Sequence, residues 1–86
     1  MLYLATTDGH DLVDATGDHP DGPWRDMCRL RPGLTLIDSE QRRSIVYHAI
    51  KDLLAADTPL LVLQAHEIPK FKGMAPGALA WARAHA

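Results

Sequence analysis

The 86-residue sequence predicts an α+β fold. We expect a small mixed sheet of three or four strands and two helices, in the order strand, loop, (strand), strand, helix, strand, helix. Three observations predict it. Two apolar runs of strand length, Leu34–Ile37 and Leu60–Ala65, flank a stretch with helical periodicity. In that stretch Ile45, Val46, Ala49, Ile50, Leu53 and Leu54 recur at helical spacing and make one broad apolar face. A further apolar run opens the chain, and residues 1–86 read as one domain of a size that buries a modest core.

Met1–Thr7 reads as the first strand, with Leu2, Tyr3 and Leu4 followed by β-favouring threonines. Asp8-Gly9 stops it. Residues 8–23 hold five Asp with Gly9, Gly17, Pro20, Gly22 and Pro23, which is loop chemistry. Leu12 and Val13 interrupt the loop as a short element that docks on the core. Trp24–Leu30 fits two readings: a short helix, or a strand over Met27–Leu30 that enters a turn at Pro32-Gly33. After the strand Leu34–Ile37, Asp38 and Gln41 are spaced as a capping box, so the main helix begins at Asp38 or Ser39. Pro59 ends it near Asp57. Leu60–Ala65 is an apolar run, broken only by Gln64 and bounded by prolines, which reads as a central, buried strand. A helix of about seventeen residues between two strands is the size of a crossover, so parallel pairing of those strands is the default. Pro76 suits the first position of a last helix running to His85.

The net charge of −2 argues against a generic polycation that coats DNA or an anionic membrane. The charge is unevenly laid out: residues 8–21 carry −5 and the remainder +3. No apolar run is long enough to cross a membrane, and the N-terminus lacks the pattern of a secretion signal. Cys28 is alone, so no intrachain disulfide is expected, which fits a cytoplasmic location.

Two regions carry candidate chemistry. Asp8, His10, Asp11 and His19 bring carboxylates and imidazoles together within the acidic loop. These are the ligand types for a divalent metal, although Asp and Gly are equally the ordinary material of turns. The second region is positive. Arg42 and Arg43 open the main helix, against its dipole, with Tyr47 on the same polar side. Lys70 and Lys72 flank Phe71, and Gly73 follows before the last helix, a combination that suits an anion or a partner. The order of strand, Asp-bearing loop, strand, helix and strand, with Asp8 after the first strand, loosely resembles small ferredoxin-like proteins such as CRISPR-associated nucleases. The resemblance covers one common fold pattern and one Asp.

These features lead us to expect a small soluble, non-enzymatic binding or regulatory module that works through protein–protein contacts or self-association and needs no cofactor. The alternative is a small metal-dependent phosphodiesterase or nuclease-like enzyme, or a nucleic-acid-binding protein, using the Asp/His loop and the Lys-Phe-Lys-Gly loop. A third reading is a subunit of a larger assembly, marked by an exposed patch around Trp24 and Trp81.

Overall fold

The computed structural model describes residues 1–9, 12–13 and 22–85. Among them, four strands form one sheet: β1 (Leu2–Thr7), β2 (Asp26–Arg31), β3 (Leu34–Asp38) and β4 (Leu60–Ala65). Two helices accompany it, α1 (Arg43–Lys51) and α2 (Ala78–Ala84). The α+β class, the four strands and the two helices agree with the sequence. The strand reading of residues 24–30 is the one adopted, with the turn at Pro32-Gly33 following β2.

The pairing is different from the one expected. The order is β2-β3-β1-β4 and every ladder is antiparallel. β3 and β4 run the same way, as a helical crossover requires, but β1 lies between them. This is the split β-α-β order. β1 can take the central place because it is apolar on both sides: Tyr3 and Ala5 face one way, Leu2 and Leu4 the other. β4 is therefore an edge strand and not the central, buried strand that its composition suggests.

Residues directly opposite in a ladder share one side of the sheet. Gln64, Tyr3, Ile37 and Met27 form a row on the first face, and Leu63, Leu4, Leu36 and Cys28 a row on the second. The first face is closed by α1, whose Val46 and Ile50 join Tyr3, Ala5, Ile37 and Leu12 in one buried cluster. α1 packs against β4. The second face is closed over β2 and β3 by α2, whose Ala78 and Ala82 meet Leu30 and Leu36. The segment before α2 crosses this face, packs Phe71 and Met74 on the same cluster, and ties to β2 through Ala75 N–H donating to Leu30 O at 2.9 Å.

Both helices are shorter than their sequence patterns. α1 starts at Arg43, after an Arg42 N-cap without a side-chain bond. The Asp38–Gln41 capping box does not form, because Asp38 is the last residue of β3 and pairs across to Leu2 and Asp26. Ser39 instead accepts the Gln41 N–H at 3.0 Å and donates to the Pro23 carbonyl. At the other end, the N–H groups of Leu53 and Leu54 donate to Ile50 and Lys51, so the helix gives way to tight turns well before Pro59. α2 begins after Gly77, which has φ +80°, leaving Pro76 outside the helix.

Candidate functional site

The two helices cover opposite faces at opposite ends of the sheet, and this leaves one area open. On the second face α2 shields β2 and β3, while the β4 side is left partly open at Leu61 and Leu63. There Leu61 is 55% exposed and Leu63 40%, on the strand that ends the sheet among the described residues. Their neighbours across the ladder are Thr6 and Leu4, both half-buried. Ile68, just past β4, and Leu79, on the outer side of α2, are exposed as well. They line a cleft of about 430 Å³ together with Pro69, Phe71, Lys70 and Arg83. An apolar floor with two cations on its rim is the chemistry of a recognition surface.

The two sheet edges differ. β2 carries Asp26, Arg29 and Arg31 exposed and has a register irregularity between Arg29 and Arg31. Charges and bulges are how natural proteins keep an edge from pairing with another chain. β4 has none of these features. Its sequence is Leu-Leu-Val-Leu-Gln-Ala, and its register with β1 runs unbroken from Thr7–Leu60 to Leu2–Ala65.

The residues singled out in the sequence fall in separate places. Arg42, Arg43 and Tyr47 belong to α1 and its cap, on the first face; Arg42 and Arg43 are exposed, and Tyr47 is half-buried with its ring edge-on to His48. Lys70, Phe71, Lys72 and Gly73 lie with the second face. The sheet therefore stands between the two positive foci, and they form no joint surface. Phe71 is half-buried: it packs on the second apolar cluster and also lines the cleft beside Lys70. Gly73 has φ +74° with open space around it, and α2, four residues beyond it, is only seven residues long. Asp8 is exposed at the end of β1, beside a cleft of about 340 Å³ that Thr6, Thr7, Pro59, Leu60 and Leu61 also line. His10, Asp11 and His19 lie outside the described residues. Among the described residues no group of three His, Cys, Asp or Glu side chains is placed to hold a metal. Trp24 and Trp81 pack on the two different clusters and form no common patch.

Sequence reasoning missed a polar cluster at the end of the sheet. Asp38 is buried and is held by Arg25 at 3.0 Å, with the Met1 amine at 3.7 Å. Arg25 also pairs with Glu40 at 2.8 Å. The hydrogen bond to Asp38, then its charge, raise the Arg25 guanidinium above its already high range. Beside this group Asp26 accepts Trp81 Nε1–H at 3.0 Å and lies 3.2 Å from His85 Nε2, while His85 stacks on Trp81. These contacts tie α2 to β2. They are satisfied within the chain, which marks the cluster as a fastening and leaves the open apolar area as the candidate site.

Cys28 sits half-buried in the second face, two residues from Asp26 on the same strand. Burial, and then the Asp26 charge, push its thiol up. A thiol so placed holds less thiolate, so iodoacetamide should alkylate it with a pH profile displaced upward from that of an unstructured cysteine peptide. A profile matching the free peptide would contradict this placement.

No helix among the described residues is long and apolar enough to cross a membrane. The chain matches no protein family model, and comparison with curated proteins and with solved structures finds no match to either.

Proposed function

We propose that this chain is a small non-enzymatic binding module that works through protein–protein contacts made by β4 and the open half-face beside it. The observation that carries this reading is the exposure of Leu61 and Leu63 on an edge strand that has no charge, bulge or proline within it. Among the described residues no strand pairs with the outer side of β4, and strand addition uses such an edge together with its apolar stripe. Burying leucines favours association by about 25 cal/mol per Å² of apolar surface, and the main-chain bonds fix direction and register. Lys70 and Arg83 beside the cleft favour a partner with acidic groups at that end.

A photo-crosslinking residue at Leu61, expressed in the native host, tests this. We expect a discrete protein adduct from position 61 and none from Ala80, an exposed position on α2. Equal labelling at the two positions, or no adduct at Leu61, would remove the support for the β4 surface.

A further inference from the structure

Resting on the reading of β4 as a contact surface, we infer that its occupant is a second copy of this chain, paired antiparallel β4 to β4 about a two-fold axis through Val62. The sheet then runs continuously across eight strands, and β4 becomes the interior strand that its apolar sequence fits.

Three observations favour a copy of the chain over an unrelated strand. The first is self-complementarity. In an antiparallel pair, opposite residues must share a face, so a two-fold axis through Val62 sets Leu61 against Leu63 of the other copy, twice. The two half-exposed leucines cover each other, and Leu60 meets Gln64 on the opposite face. The second is the asymmetry of the edges. β2 is guarded and β4 is not, so pairing closes after two copies and does not continue into a fibre.

The third is charge order along α1. This helix packs on β4, so two copies of it run antiparallel on either side of the seam. Its start carries Arg42 and Arg43 with no acidic residue in the first turn, an arrangement the helix dipole disfavours. Its last turn carries His48 and Lys51, followed by the Asp52 cap and by Asp57 beyond. Two-fold symmetry directs the arginine-bearing start of one helix toward the carbonyl end and aspartates of the other, where cations are favoured.

Sedimentation of the intact chain tests this together with disulfide trapping. We expect the mass to double from 9.5 kDa as concentration rises through the micromolar range. Leu61→Lys or Leu63→Lys should remove the dimer while leaving the circular dichroism spectrum and melting of the monomer unchanged, since both side chains are exposed. For trapping, Leu61→Cys and Leu63→Cys are made separately in a Cys28→Ala background. Opposite residues have Cα atoms about 4.5–5.5 Å apart, within disulfide reach, whereas the 61–61 and 63–63 diagonals are roughly 7–8 Å. An equimolar mixture should form a covalent heterodimer several-fold faster than either variant alone forms a homodimer. A chain that stays monomeric throughout, or single variants that link as fast as the mixture, would overturn the inference. If the chain is monomeric while Leu61 still labels a different protein, the second-copy inference fails and the binding reading stands. If neither contact forms, both fail.

Discussion

Replacing Tyr3 by Ala should cost about 3–5 kcal/mol, the range for losing a large buried aromatic. The typical stability of a small domain is about 5–15 kcal/mol, so the variant should lose a large share of its stability. Tyr3 is the largest fully buried side chain of the central strand, at 0% exposure. Its ring packs in the cluster that joins α1 to the sheet. Its hydroxyl donates to the Gln41 carbonyl at 2.6 Å, fastening the turn that leads into α1. Tyr3→Phe keeps the ring and loses only this bond, so it should cost about 0.5–1.5 kcal/mol. Urea denaturation of the two variants separates packing from hydrogen bonding. A Tyr3→Ala cost below about 1 kcal/mol would contradict the central position of β1.

Gly33→Ala should cost more than the penalty of its backbone conformation. Gly33 has φ +80° at the second corner of the β2–β3 turn, after Pro32, where a type II turn needs a positive φ. That conformation costs an L-residue about 1–2 kcal/mol. A Cβ there would also lie 2.7 Å from the Thr7 carbonyl oxygen and 2.9 Å from the Gly9 nitrogen. Both are backbone atoms, drawn close because Thr7 N–H donates to Gly33 O at 2.8 Å. Gly73 supplies the control: its φ is +74° and nothing lies within 4 Å of an added Cβ. Gly73→Ala should therefore show the conformational cost alone. The difference between the two midpoints measures the clash, and equal losses would show that β1 does not approach the turn this closely.

Much of this fold is legible in the sequence, and the misreadings have specific physical causes. Three of the four strands announce themselves by apolar runs and by their breakers, Asp8-Gly9, Pro32-Gly33 and Pro59, while Trp24–Leu30, with its alternating charges, fits a helix as well as a strand. Strand composition reports which faces meet apolar surroundings, but it does not report who the neighbours are. Leu60–Ala65 has the composition of an interior strand and stands at an edge, because β1 takes the place between β3 and β4. The capping box at Asp38 is a correct spacing in the wrong context. The ladder claims the Asp38 backbone and Arg25 its carboxylate, and the helix starts later. Leu53 and Leu54 keep helical spacing while their backbone has left the helix; Leu54 still packs on the first cluster from the turns, and Leu53 is half-buried. The candidate surface was half visible: the apolar strand could be seen, and its exposure could not. The two basic foci looked like one surface in sequence because nothing there shows that a sheet separates them.

The central place of β1 also sets a timetable for folding. β1, first of the four strands in chain order, must wait for both of its neighbours. β3 begins about thirty residues behind it, and β4 is later still, with Leu2 finally paired to Ala65. Ladders between segments so distant in the chain close slowly. The β2–β3 hairpin, joined by two residues, can form at once and present β3 as a template. β1 then docks on it and exposes its own far side until β4 is synthesised. A chain that folds in this order exposes, until β4 is in place, a strand edge that is interior in the finished sheet, and there a chaperone would find most to hold.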